Sequence, residues 1–414
     1  MLHYPRSEEA RIAELIGRLQ EVYHVNTNDI QIVRAPLRIC PLGAHIDHQL
    51  GCVTGMTINQ SLLMAFVPTD DHTVRIQSLN FAGEISFHLD QIPAYQYGDW
   101  GNYVRGAALA LQSEYPLERG LIGVIGGDAP AGSGGLSSSA ATTVSYLMAL
   151  QAVNQLEVSP RQNIDFSSKT ERGYIGLNNG ILDQTSVLFG KEHHLTYIDC
   201  QDTLIEQLPD ASSQNEQTDD FGILIINSGV TDVLVGTGYN NRVSECREAA
   251  RLLLDYAGEN SVAEEQILLR HVSPAIFESE GHRLPDVIRR RATHYFGEMA
   301  RVQAGREAWC KGDIQRFGEL VTASGYSSVH YYECGCPQLI TLYELLSNTP
   351  GVYGTRFSGA GFRGNYLALI APDARDEIAD IVHNHYPQAH PEIAELYGLY
   401  YCEQAGPAMV LDAF

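Results

Sequence analysis

The stretch from Gly127 to Ser145, G-D-A-P-A-G-S-G-G-L-S-S-S-A-A-T-T-V-S, carries the residues best suited to hold an anion. Gly132, Gly134 and Gly135 free the backbone to adopt positive φ and let a ligand approach closely. Ser137, Ser138 and Ser139 follow, and serine is a favoured N-cap. From Ala140 onward Ala140, Ala141, Val144, Leu147 and Met148 recur at spacings of three and four, which predicts a helix. A glycine loop opening a helix offers unpartnered N–H groups and the positive end of the helix dipole to a phosphate. The adjacent serine hydroxyls are available to Mg2+. A Walker A loop would need a lysine here, and the chain has only Lys169, Lys191 and Lys311. A dinucleotide loop would need a preceding strand and an acidic residue about 20 positions on, for which Glu157 is a poor match. Two readings then stand on loop chemistry alone: a phosphate held by backbone N–H groups, or a Gly/Ser loop capping a core helix.

A second glycine cluster, Gly359-Ala-Gly-Phe-Arg-Gly364, fits the dinucleotide spacing but opens N-Y-L-A-L-I-A, a strand rather than the helix that reading requires. The two clusters make sense together. P-A-G-S-G-G-L-S-S-S-A-A resembles the central phosphate motif of the GHMP kinases, P-x-G-x-G-L-S-S-S-A, with one extra residue between Pro130 and Leu136. G-T-R-F-S-G-A-G-F-R-G from Gly354 resembles their third motif, G-A-R-M-T-G-A-G-F-G-G, with Arg363 in place of a glycine. R-A-P-L-R-I-C-P-L-G-A-H-I-D-H from Arg34 resembles the first motif of the galactokinase family, A-P-G-R-V-N-L-I-G-E-H-T-D-Y, and within that family it is most similar to the uronic-acid kinases. With Y-x-x-R-x-x-E-C at 239–246 and C-P-Q-L at 336–339, the resemblance spans nearly the whole chain.

The resemblance implies an ATP-dependent sugar 1-kinase with Mg2+. Asp183, in G-I-L-D-Q, stands where the family has the base for the sugar C1 hydroxyl, and Arg38 where it has the charge-stabilising arginine. Glu171, twelve residues before Asp183, is implied as a metal carboxylate, with a hydroxyl from Ser138 or Ser139, Ser139 being the one assigned. Gly132, Ser133, Gly134, Gly135, Leu136, Ser137 and Ser138 would cradle the ATP phosphates, and Trp100 would lie beside adenine. His45, Asp47 and Tyr239 would meet the sugar.

The informative departure is Ala44. Family members have glutamate there, facing the sugar 6-hydroxyl. A neutral sugar loses a partner at alanine, typically ~1–3 kcal/mol if the hydroxyl is left unpaired. A sugar with a C6 carboxylate is spared a like-charge repulsion instead. Cys40 and His48 replace the family Asn and Tyr, and His48 is a candidate donor to that carboxylate. Arg242 and Arg363 are candidate counter-ions. The substrate expected is D-galacturonate. Alternatives are a galactokinase, another C1 sugar kinase such as an arabinokinase, or a galactokinase-like regulator that binds sugar and ATP without turnover.

These residues need a scaffold. Residues 8–23 predict a helix with Ile12, Leu15, Ile16, Leu19 and Tyr23 on one face. Strands are expected at 28–34, 62–67, 73–78, 84–89, 121–125, 194–199, 223–227, 365–370, 396–402 and 409–411. Helices are expected at 100–113, within 160–190, and at 239–257, 284–309, 313–325, 337–347 and 373–385. The polar run 206–220 predicts a loop, and with it a boundary between domains 1–210 and 211–414, the last strands returning to the first domain. The family fold implied is α+β in two domains, ribosomal S5 domain 2-like followed by ferredoxin-like. A net charge of −23 with few lysines disfavours nucleic acid, no apolar run is long enough for a membrane span, and a cytoplasmic setting is expected. Eight scattered Cys without a C-x-x-C are expected to be reduced structural thiols. The partner expected is a small sugar or uronic acid; oligomeric state is left open.

Overall fold

A computed structural model describes the chain except residues 129–135, 137, 211–219, 231–237, 260–261, 360, 362–363 and 412–414, together with the side chains of 239 and 265. In chain order the elements are β1 Leu2–His3, α1 Glu8–Tyr23, β2 Gln31–Ile39, β3 Cys52–Thr69, β4 Thr73–Ser78, β5 Glu84–His88, α2 Asn102–Gln112, β6 Gly120–Gly127, α3 Ser138–Val153, α4 Pro160–Ser168, α5 Leu182–Phe189, β7 His194–Asp199 and β8 Leu204–Pro209. There follow β9 Gly222–Asn227, α6 Tyr239–Ala257, α7 Pro274–Glu280, α8 Asp286–Cys310, α9 Ile314–Ser327, α10 Pro337–Leu346, β10 Val352–Phe357, β11 Asn365–Ile370, α11 Arg375–Ala389, β12 Gly398–Cys402 and β13 Met409–Leu411.

The strands make two sheets. One runs β13-β2-β3-β6-β4-β5, with β7 paired to the start of β3 and β8 paired to β7; the other runs β1-β12-β9-β11-β10. The chain ends change places: β1, from the start, lies parallel to β12 in the second sheet, and β13, from the end, pairs with β2 in the first. Apolar residues of both sheets share one core, in which Leu37 and Ile39 of β2 meet Val302, Phe317, Leu367 and Cys402.

Local chemistry explains the elements. Ser7 caps α1 by accepting the Ala10 amide at 3.3 Å, and Ile12, Leu15 and Leu19 bury the face that covers β3 and β6. Ser159 and Gln162 form a capping box with Pro160 at the first position of α4. Pro36 cannot donate to a ladder, and the β2–β3 register slips there, from Pro36 opposite Ser61 to Leu37 opposite Ile58.

Three expectations are corrected or extended. The run from 206 is a loop only after Pro209, because Leu204–Pro209 pairs antiparallel with β7. Residues 160–190 are a helix, a π-helical turn Lys169–Ile175, a break, and a second helix, because Gly176 is left-handed and Gly180 packs on Asp47. The strand expected at 62–67 is the second half of the 18-residue β3. The strand β10 and the short helix α7 carry no periodic signal strong enough to predict. All eight Cys are free thiols, and among the described residues no helix is long and apolar enough to cross a membrane.

Candidate active site

The bulge at Pro36 hands the chain to Arg38, whose backbone N–H donates to the Leu136 carbonyl at 3.2 Å and so ties this strand to the end of the glycine loop. The buried guanidinium then reaches Asp183 in the first turn of α5: Nε and Nη2 both donate to Oδ1, at 2.9 and 2.5 Å. Nη1 lies 3.4 Å from the Ser358 hydroxyl, at the end of β10, so one arginine links the first motif, the α5 carboxylate and the third motif. The Asp183 side chain stays 25% exposed while Arg38 is 3% exposed, which leaves the carboxylate accessible and its counter-charge enclosed.

Glu171 sits in the π-helical turn, a distortion that recurs at functional sites. It is fully buried. Asn179 donates to Oε2, whereas Oε1 has no hydrogen-bond partner among the described residues. Burial, and the nearby charge of Asp183, push this carboxyl up to about 7 against the lowering effect of the Asn179 bond. A buried, bare carboxylate oxygen fits a hard divalent cation, which prefers oxygen ligands. Ser138 and Ser139 open α3 and are half-buried, and Leu136 just before them is buried. Gly132, Ser133, Gly134, Gly135 and Ser137 fall outside the described residues. Trp100 stacks on Phe81, centroids 6.4 Å apart at 20°, and its Nε1 donates to the Ala82 carbonyl at 3.4 Å. Asn80 in the same turn clamps Gly127, accepting its N–H at 2.8 Å and donating to its carbonyl at 3.3 Å. The indole therefore lies on the turn tied to the strand end that feeds the glycine loop.

The A-H-I-D loop is held mainly from the second half of the chain. Gly43, with φ +87°, donates its N–H to Glu298 Oε2 at 2.9 Å. Ala44 is buried, and its carbonyl accepts from His294 Nε2 at 2.9 Å. His45 takes φ +60°, and its ring stacks on Tyr332 at 4.5 Å and 11°, with Nε2 3.4 Å from the Cys334 sulfur. Asp47 packs against Gly180, where any Cβ would fall 2.2 Å from Oδ2. Burial and the charge of Asp183 push Asp47 up to about 6. Burial drives His45 well below its usual range and His48 down to about 3, so both imidazoles are neutral.

His48 differs from its expected role. Its Nδ1 accepts from Gln49 Nε2 at 3.0 Å, so Nε2 carries the proton and donates it to the Tyr332 hydroxyl at 3.0 Å rather than to a ligand carboxylate. Arg242 is likewise engaged, on both oxygens of Glu245 at 3.1 and 3.0 Å and on the Glu333 carbonyl at 3.0 Å. Arg363 and the side chain of Tyr239 lie outside the described residues. Residues that sequence reasoning missed brace the site from behind. Glu298 and His294 share one face of α8, Ser324 joins Glu298 to the buried Arg356, and Asn179 holds Glu171. Arg356 makes no ion pair among the described residues. An i, i+4 His–Glu pair or an Asn in a loop has no sequence signature of its own, which is why these went unread.

The assembled site holds an arginine–carboxylate pair at an accessible position, a bare buried carboxylate beside it, and a helix-opening serine run. Comparison with known proteins agrees with this chemistry. Residues 102–191 match the GHMP kinases N terminal domain and residues 306–388 the GHMP kinases C terminal domain. The galacturonokinase of Arabidopsis thaliana is 44% identical over 97% of this chain and 96% of its own length. The galactokinase of Chloroflexus aurantiacus is 33% identical over 84% of this chain and 85% of its own. The crystal structure of Lactococcus lactis galactokinase complexed with galactose superposes with a TM-score of 0.87 at 28% identity, covering 97% of this chain and all of that one.

Proposed function

This chain belongs to the GHMP kinases and is a sugar kinase of their galactokinase branch, and we propose that it transfers the γ-phosphoryl group of ATP to the C1 hydroxyl of D-galacturonate. Asp183 takes the hydroxyl proton as the C1 oxygen attacks the γ-phosphorus, the bond to the β-phosphate oxygen breaks, and ADP leaves. Arg38 fixes the orientation of Asp183 through its two bonds to Oδ1 and adds positive charge beside the transferring group. Glu171 Oε1, with the hydroxyl of Ser139, would hold Mg2+, which neutralises phosphate charge when bound. Trp100 and the glycine loop would take the nucleotide.

Residue 44 carries the choice of sugar. A glutamate there would set a carboxylate against a C6 carboxylate, and two like charges about 4 Å apart repel by ~4 kcal/mol at an effective dielectric of about 20. That exceeds the ~1–3 kcal/mol a neutral sugar loses with the hydrogen bond. Glu298 meets this backbone at the Gly43 amide, and it does not restore the missing charge: it is enclosed, paired with Arg301 Nε at 2.6 Å, and turned to that amide and the Ser324 hydroxyl. Steady-state kinetics on galacturonate, galactose and arabinose with ATP and Mg2+ test the reading. Galacturonate is expected to have the largest kcat/KM; a preference for galactose would overturn the substrate and leave the phosphotransfer standing.

A further inference from the structure

The β4–β5 hairpin forms the edge of the first sheet, and its two ends differ in chemistry. The turn end carries Phe81 under Trp100. The open end, a five-residue strand and about 17 Å away, gathers His72, His88 and Asp90. One ligand atom from each lies within 4.8 Å of the others. His72 Nδ1 is 3.4 Å from Asp90 Oδ1, and His88 Nδ1 is 3.5 Å from Asp90 Oδ2. Around a tetrahedral zinc ion with bonds of about 2.0–2.1 Å, neighbouring ligand atoms stand about 3.3–3.4 Å apart.

The backbone fixes this arrangement. His72 occupies the left-handed region, φ +57°, in the turn before β4, where Thr73 N–H is held by Asp71 Oδ1 at 3.1 Å. Its carbonyl accepts the Leu89 amide at 3.0 Å, which locks the approach to β4 against the exit from β5, and Thr73 pairs directly with His88. The Asp90 amide lies 3.3 Å from His88 Nδ1, a long contact that an ion bound at that nitrogen would replace. None of these three residues has a part in the phosphotransfer chemistry.

We propose that His72, His88 and Asp90 form a binding site for a borderline divalent transition-metal ion, zinc above all, that clamps the open end of the edge hairpin. Two imidazole nitrogens and one carboxylate suit zinc, nickel or copper, whereas magnesium and calcium select all-oxygen sets such as the one around Glu171. Three protein ligands leave a fourth position for water. The clamp would stiffen a strand whose outer edge has no strand partner among the described residues.

The test uses the full chain without a histidine tag, stripped of metal and titrated with Zn2+ against a chromophoric chelator in millimolar Mg2+. The wild type should take up one equivalent more than a His72→Asn/His88→Ala double variant. Either single change should weaken that equivalent at least tenfold, and Zn2+ should raise Tm in the wild type but not in the variant. Asparagine tolerates the left-handed backbone at 72, and His88 is exposed; Asp90→Asn, which keeps the shape, serves as a third probe should a histidine variant fail to fold. Kinase turnover with Mg2+ should be the same in all. Equal zinc stoichiometry and affinity in wild type and variants would overturn the site.

Discussion

The two sides of the active site treat polar groups in opposite ways. On the phosphate side, charges are incompletely partnered: Glu171 keeps a bare buried oxygen, and the Asp183 carboxylate stays open beside an enclosed Arg38. On the sugar side, the buried histidines are hydrogen-bonded and neutral. His48 has both ring nitrogens bonded, His294 spans Ser327 and the Ala44 carbonyl, and burial pushes His294 down to about 4. Where charge must move or a cation must enter, partners are withheld. Where a shape must be read, the ring nitrogens of His48 and His294 are both engaged, because an unsatisfied buried group would cost about 1–3 kcal/mol and loosen the loop.

The contrast can be broken most severely at Asp183. Asp183→Asn removes the base and keeps the shape, so kcat should fall by roughly 10²–10⁴, while sugar affinity by calorimetry should change only a few-fold. Turnover near the wild-type value would remove the base assignment. Ala44→Glu attacks the sugar side with a charge. The ~4 kcal/mol repulsion at an effective dielectric of about 20 corresponds to a loss of up to about 10³ in kcat/KM for galacturonate, with a smaller loss for galactose. Equal losses on both sugars would refute the pocket argument.

Glu171→Gln sharpens the phosphate side. The folded carboxyl lies at about 7, above its ordinary 4.5. Below about 4.5 both states hold the proton; between 4.5 and 7 the unfolded chain releases it first, so stability falls as pH rises, and the full cost is present above 7. Asp47 titrates in the same sense and the buried histidines in the opposite one, so the informative quantity is wild type minus variant. In metal-free protein the variant should gain up to ~3 kcal/mol over the wild type across that window, read as a Tm difference that Mg2+ narrows. A difference independent of pH would contradict the bare-carboxylate reading. Tyr332→Phe is the mildest probe. It strips the hydroxyl from His48 but leaves the stack on His45, so stability should drop by about 1–2 kcal/mol with kcat little changed; a large fall in kcat would show that the sugar side is not merely a mould.

Much of this was legible in the residue pattern. α1, β4, β7, α6, β11 and β13 lie where periodicity places them, because each has one apolar face and clear punctuation. The motif resemblance brought Arg38 and Asp183 to one site, although 145 positions separate the two residues that the structure pairs. What stayed hidden depends on context. β8 is polar along most of its length and is a strand only because β7 supplies a ladder. The π-helical turn that buries Glu171 has no compositional marker. The saturation of His48 needs Tyr332, 284 residues away, and without that partner a histidine beside a sugar motif reads as a ligand donor.

The exchange of chain ends has a consequence for biosynthesis. Arg38 lies on β2, and β2 is an outer strand until β13 arrives beside it. Residues 409–411 are made long after β2, so until they emerge the strand bearing this arginine offers a raw hydrogen-bonding edge to whatever is near. A truncation before residue 409 would leave that edge open in the folded chain.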